Sequence, residues 1–165
     1  MVKRIIGGVV SIALALAVYF GWDTLREKKA EADAPQVGDC LIITGSLSNA
    51  DDKDVACDDA TATYEVVGDD GECDKTELSY TITLGDTSDQ GNVADLCLAW
   101  NAREGDCFRI NGVTEPDEKV ACTTEGDTVY KVVAAFDSAS EKCPKGSKGF
   151  ANKKRDRLVC FGPNA

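Results

Sequence analysis

The chain has 165 residues, 28% of them charged, a formal net charge of −11 and no histidine. That acidic balance argues against nucleic acid as a partner, and the missing histidine removes every Ser-His or Cys-His nucleophile pair and every histidine-ligated metal. Eight cysteines, an even number, call for either disulfides or metal ligation.

In chain order, the first element is an uncharged apolar run over residues 5 to 22, with Ser11 its one polar side chain. Those 18 residues would span roughly 27 Å as a helix, near the ~30 Å hydrocarbon core of a bilayer. Lys3 and Arg4 precede the run, while Tyr19 and Trp22 stand near its far end, where interfacial aromatics belong. Residues 1 to 22 are therefore read as a signal anchor: a single transmembrane helix in the cell membrane, with the C-terminal part extracytoplasmic. A cleaved signal peptide cut at Ala15-Leu16-Ala17 is the rival, and it would release a secreted soluble binding factor. The apolar stretch is longer than an h-region of about 7–15 residues needs. No cysteine precedes Cys40 to carry a lipid. Residues 23 to 36, charged, rich in alanine and closed by Pro35, read as a stalk.

From residue 37 onward one short module is written twice. The copy over residues 37 to 101 runs Gly38-Asp39-Cys40, Val55-Ala56-Cys57, Tyr64-Glu65-Val66-Val67, Cys73, Tyr80 and Leu96-Cys97. The copy over residues 102 to 165 runs Gly105-Asp106-Cys107, Val120-Ala121-Cys122, Tyr130-Lys131-Val132-Val133, Cys143, Phe150 and Val159-Cys160. Modules of ~65 residues bury little surface and need staples. Disulfides are favoured over zinc, because no Cys-x-x-Cys or closer pair occurs and the expected compartment is oxidising. If each copy closes on itself, three pairings per copy remain. The expected one joins first to second and third to fourth: Cys40 with Cys57, Cys73 with Cys97, Cys107 with Cys122, Cys143 with Cys160. Its basis is that Cys40 to Ile43 and Asp54 to Cys57 are the nearest candidates for adjacent strands.

Strands are expected where β-branched and aromatic residues cluster, at residues 40 to 44, 64 to 67, 79 to 84, 108 to 110 and 129 to 134. Turns are expected at Asp51-Asp52, at Gly68-Asp69-Asp70-Gly71 and at Asp89-Gln90-Gly91-Asn92. After the third cysteine, residues 73 to 80 and 143 to 152 read as a short helix, since Cys73 and Tyr80, like Cys143 and Phe150, fall about two turns apart on one face. The fold class is accordingly α+β and β-rich: an N-terminal transmembrane helix, then two small disulfide-stapled tandem repeats of antiparallel strands joined at residues 101 to 104. Gly38-Asp39 and Gly105-Asp106 should form the turn entering the first strand, and Tyr64 and Tyr130 should pack in the core beside a disulfide rather than bind sugar.

Gly-Asp-Cys, Val-x-Cys, Tyr-x-Val-Val, a cysteine followed by an aromatic, and a closing apolar-Cys pair, in order and twice, resemble the LppU-type family of actinobacterial envelope proteins. More loosely they are similar to septum-formation domains, which open in a comparable Gly-Asp-Cys manner. The resemblance covers residues 37 to 101 and 102 to 164. It implies an extracytoplasmic location and no known catalytic activity. LppU itself is a lipoprotein, and this chain departs from it in lacking a lipidation cysteine, so that a protein anchor would be the substitute.

Catalysis has little to build on, since neither Gly-x-Ser-x-Gly nor Ser-x-x-Lys occurs. A carboxylate-based hydrolase stays open as an alternative, and it requires an acid pair facing a cleft. No cofactor is expected. Asp51-Asp52-Lys53-Asp54 and the stretch from Asp86 to Asn92 are the places where calcium would be sought, but position twelve from Asp86 is Cys97 rather than the bidentate glutamate of an EF-hand. Charge separates the copies: residues 36 to 101 hold fifteen acids against Lys53 and Lys75, residues 102 to 165 ten acids against eleven bases. Seven of those bases, Lys142, Lys145, Lys148, Lys153, Lys154, Arg155 and Arg157, form a candidate partner-binding patch for an envelope protein, lipid headgroups or anionic wall polymer. The plainer reading is that both charged regions are ordinary solvated faces, or that the two modules simply attract each other. The expected function is a membrane-anchored, non-catalytic module that binds or scaffolds at the bacterial cell envelope.

Overall fold

The computed structural model describes residues 33–46, 49–83, 92–112 and 115–164. The apolar run, most of the stalk and the expected turn before Asn92 lie outside them. Among the described residues no helix is long and apolar enough to cross a membrane.

Among the described residues ten strands follow one another: β1 (Cys40–Ser46), β2 (Asn49–Val55), β3 (Tyr64–Gly68), β4 (Leu78–Thr83), β5 (Asn92–Trp100), β6 (Cys107–Arg109), β7 (Glu118–Val120), β8 (Val129–Phe136), β9 (Lys148–Asn152) and β10 (Arg157–Pro163). They form two five-stranded antiparallel sheets, ordered β2-β1-β3-β5-β4 and β7-β6-β8-β10-β9. The second order is the first shifted by five strands, so the sequence repeat is a repeat of topology. Pro35–Tyr80 and Asp95–Ala165 make one compact unit, and the contacts between the two repeats lie inside it. The outer ends of β4 and β5 belong to a second unit, in which Thr81 and Thr83 are exposed and Ile82 is half-buried.

The repeat extends to register. Tyr64 stands opposite Trp100 and Val66 opposite Leu98, while Tyr130 stands opposite Pro163 and Val132 opposite Phe161. In both sheets the register then shifts by one residue, at Val67 and at Val133. Such a bulge twists the strand locally and re-aims its side chains. The entry turns match as well: Gly38 and Gly105 have φ of 100° and 96°, a region L-residues avoid. The Asp39 and Asp106 carboxylates accept from the N–H three residues earlier, at Gln36 and Arg103.

The four disulfides join Cys40 to Cys57, Cys73 to Cys97, Cys107 to Cys122 and Cys143 to Cys160, with Cα separations of 5.0 to 5.5 Å. Cys40 pairs in register with Val55 and Cys107 with Val120, which brings each second cysteine, two residues further on, back over the first strand. On the chain-entropy account each closed loop stabilises by about 3 kcal/mol.

Over the described residues the expected α+β class is corrected to all-β, because the helix anticipated after each third cysteine is a turn and then a strand. The Asp74 carboxylate accepts from both the backbone N–H and the hydroxyl of Thr76, an Asx turn that competes with helix. In the second copy Ser147 folds back on the Pro144 carbonyl with its N–H and hydroxyl. Strand β4 then alternates with period two: Leu78, Tyr80 and Ile82 are half-buried, and Ser79, Thr81 and Thr83 are exposed. The turn expected at Asp51-Asp52 is also corrected, since both lie within β2, opposite Thr44 and Ile43. An edge strand this acidic resists pairing with another chain, and the Tyr80 hydroxyl donates to the Asp52 carboxylate from the opposite edge strand.

Candidate functional site

In the first sheet Leu41, Ile43, Val66, Leu96 and Leu98 are buried, and in the second Phe108, Val132, Val159 and Phe161. Trp100, the last residue of β5, joins the second core: its ring meets Phe150 and Phe161 edge-on, with centroids 5.2 and 5.1 Å away. Edge-to-face pairs of this kind contribute about 0.5–1.5 kcal/mol beyond burial. Directly after it the chain becomes the second module, so the seam between the repeats is built around this indole.

Polar groups close the seam on three sides. The Trp100 indole N–H donates to the Asp117 carboxylate at 2.9 Å, and the Asp117 backbone N–H donates to the Tyr64 hydroxyl at 2.8 Å. Burial pushes the Asp117 carboxyl above the usual carboxylate range, against the pull of the Trp100 and Asn111 donors. Burial, with the Asp117 charge nearby, also raises the Tyr64 hydroxyl. Lys119, its side chain only 7% exposed, sets its ammonium 2.8 Å from Asp106 and 3.0 Å from the Asn101 carbonyl. On the third side Arg157 pairs with Glu65 at 2.7 Å, Lys154 with Asp70 at 3.1 Å, and Arg155 with Glu77 at 3.3 Å. Lys154 also donates to the Glu72 carbonyl.

The seven basic residues thus divide. Lys154, Arg155 and Arg157 reach across to acids of the first repeat. Lys142, Lys145 and Lys153 are exposed, and Lys148 places its ammonium 5.0 Å from the centroid of the Phe150 ring. The cleft at the seam, about 230 Å³, is lined by Tyr64, Leu78 and Trp100 together with Glu77, Glu115 and Asp117. Of the two shielded acids, Glu77 accepts from Asn152, Arg155 and the Asp74 N–H, and Asp117 from Trp100 and Asn111. Both oxygens of each are therefore engaged by structural donors. Glu77 also lies near the sulfurs of Cys73 and Cys97, but those sulfurs are bonded to each other and not available as thiolate ligands. Of the two calcium candidates, Asp51 to Asp54 run along strand β2, and the stretch from Asp86 lies outside the described residues apart from Asn92.

A second cleft, about 420 Å³, opens on the second repeat between Tyr130, Phe150, Phe161, Pro163 and Lys148. Tyr64 is buried, as expected of a core tyrosine, but Tyr130 is 38% exposed and lines this cleft, which corrects the expectation that it packs in the core. The physical reason is what lies on each face: the segment before β7 covers the Tyr64 face through the Asp117 N–H, and among the described residues no segment lies over Tyr130 in the same way.

Residues that the sequence reading passed over are Trp100, Asp117, Lys119 and the pair Asn101 and Asn164. Asn101 donates to the Cys57 and Ala62 carbonyls, and Asn164 to those of Cys122 and Thr124. The signal was present, for each asparagine stands four residues after the last cysteine of its copy. No protein-family model matches the chain, and comparison with curated proteins and with solved structures found no match.

Proposed function

We propose that this chain is a non-catalytic binding or scaffolding module of the bacterial cell envelope, anchored by its apolar N-terminal segment, with the two repeats acting as one body. Four disulfides indicate an oxidising, extracytoplasmic location. The observation that carries the reading is the division of labour between the two modules. The first turns its tyrosine face and three of its acids, Glu65, Asp70 and Glu77, toward the second, while the second keeps an aromatic cleft and Lys142, Lys145 and Lys153 exposed. The shielded carboxylates at the seam, Glu77 and Asp117, already serve structural donors. The resemblance to LppU-type envelope proteins points the same way.

The test is crosslinking and capture from intact cells with the tagged full chain, beside a variant carrying Lys142→Glu, Lys145→Glu and Lys153→Glu, positions outside the ion pairs at the seam. One envelope partner recovered with the native chain and lost with the variant is the expected result. Hydrolysis of cell-wall material by the purified chain, abolished by Glu115→Gln, would overturn the non-catalytic reading in favour of a carboxylate hydrolase.

A further inference from the structure

We propose that the Tyr130 face of the second repeat is a docking groove for an acidic, proline-bearing polypeptide segment of a partner protein, recognised as the Tyr64 face recognises Glu115, Pro116 and Asp117 of this chain. The inference deepens the binding reading and rests on it.

Equivalence of the two faces comes from register. Tyr64 opposes Trp100 and Tyr130 opposes Pro163, with Leu98 and Phe161 two residues earlier on the same side of their strands. Leu78 and Lys148 are the first residues of the fourth strand of each repeat, each five residues after the third cysteine. On the first repeat the occupant is visible: Glu115, Pro116 and Asp117 line the cleft with Tyr64, whose hydroxyl accepts from the Asp117 N–H. On the second repeat the same positions frame an open cleft of about 420 Å³ with Tyr130 exposed at its edge.

Two differences between the faces specify the ligand. Trp100, which donates to the Asp117 carboxylate, is replaced by Pro163, which has no donor. Leu78 is replaced by Lys148, which lines the open cleft and holds its ammonium 5.0 Å from the centroid of the Phe150 ring, another wall of that cleft. An indole donor is exchanged for a full positive charge, so a carboxylate remains the matching group and is now favoured by charge as well. The aromatic and proline walls suit an extended proline-containing backbone. A saccharide would stack on the same rings, but the lining offers its hydroxyls no carboxylate or carboxamide, only Ser147, Lys148 and backbone groups. A second copy of this chain is disfavoured as the donor, since its own Asp117 segment is already held at its seam.

The experiment is an NMR titration of the full-length chain with a capped peptide of the sequence of residues 111–119, beside a neutral peptide carrying Glu115→Gln, Asp117→Asn and Glu118→Gln. Expected are saturable shifts at Tyr130, Lys148 and Phe161, with the neutral peptide about tenfold weaker. Tyr130→Ser abolishes these shifts. Lys148→Glu, an exposed substitution that the fold tolerates, weakens the acidic peptide while sparing the neutral one. Equal binding of the two peptides, or no shift on the Tyr130 face at millimolar peptide, overturns the proposal. So does tighter binding there of a chitin oligosaccharide, which would make the cleft a sugar site. Capture of an envelope partner by a chain that ignores both peptides sinks the groove while leaving the scaffold reading intact.

Discussion

The Arg155 guanidinium lies over the α-carbon of Gly68: a methyl group built on that glycine would stand 2.1 Å from Nη2. Gly68 is the last residue of β3 in the first repeat and Arg155 lies between β9 and β10 in the second, so the absent side chain is what lets one module seat an arginine on the other. Gly68→Ala should displace the guanidinium, and the cost is set by Glu77, whose side chain is fully shielded and would lose its charged partner. A loss of about 1–3 kcal/mol is expected in urea unfolding. Arg155→Ala should cost about the same and the double variant no more than either, since all three remove one interaction. Additive losses would refute the assignment.

Lys119 is nearly buried and faces the Asp106 carboxylate, the Asn101 carbonyl and, at 5.7 Å, the Phe108 ring. Lys119→Met keeps the stem and removes the charge, leaving Asp106 without its cation. Destabilisation of about 1–3 kcal/mol is expected, and Lys119→Arg should not rescue it because the planar fork does not fit a site built for a point charge. Thermal melts of the three proteins decide the matter.

Asn101 and Asn164 do the same work in the two copies, but Asn101 is buried and Asn164 only half so. Asn101→Ala strands the buried Ala62 carbonyl, while that of Cys57 keeps the Arg103 guanidinium as a donor; it should cost about 1–3 kcal/mol, whereas water can replace Asn164 and its loss should cost under about 1 kcal/mol. Equal costs would show that water reaches the Asn101 carbonyl partners as well.

Acid titration should separate two aspartates at the seam. The Lys154 hydrogen bond, first among several, holds Asp70 below its ordinary value of 3.8. Its stabilising contribution is therefore present above that value and lost as the pH falls through the folded one. Asp117 is raised above 3.8 by burial, so its contribution has the opposite sign, present below that value and lost as the pH rises through the folded one. Carboxyl-carbon NMR should find the two on opposite sides of 3.8, and Lys154→Ala should return Asp70 toward it while leaving Asp117 unmoved.

Reduction should unfold both sheets, and replacing either Cys73 and Cys97 or Cys143 and Cys160 by serine should lower stability by about 3 kcal/mol. EDTA should leave the melting temperature where it is. A fall of several degrees with chelator would reveal a metal ligand set outside the disulfide-bonded cluster at Cys73, Glu77 and Cys97.

The sequence alone determined the two-copy organisation, the entry turns and five of the ten described strands, because each of these is written in local residue types: cysteine spacing, glycine before aspartate, and runs such as YEVV and VYKVVA. It narrowed the disulfides to three pairings per copy, and the fold chose the expected one. Strands β2, β5, β7, β9 and β10 were not legible. Asn49–Val55 carries three aspartates and becomes a strand only because β1 lies beside it, and Lys148–Asn152 becomes one only against β10. The helices expected after Cys73 and Cys143 failed for the same reason: a seven-residue step fits one helical face, but pairing partners supplied from far along the chain outweigh local spacing. Whether the basic residues look outward or inward was also beyond the sequence, since charge counts do not say which groups meet. Tertiary structure alone turned Lys154, Arg155 and Arg157 onto the first repeat, buried Tyr64 and left Tyr130 open. The physical reason is that exposure belongs to a face and its neighbour: the segment before β7 lies on Tyr64, whereas among the described residues Tyr130 stands at the edge of an open cleft.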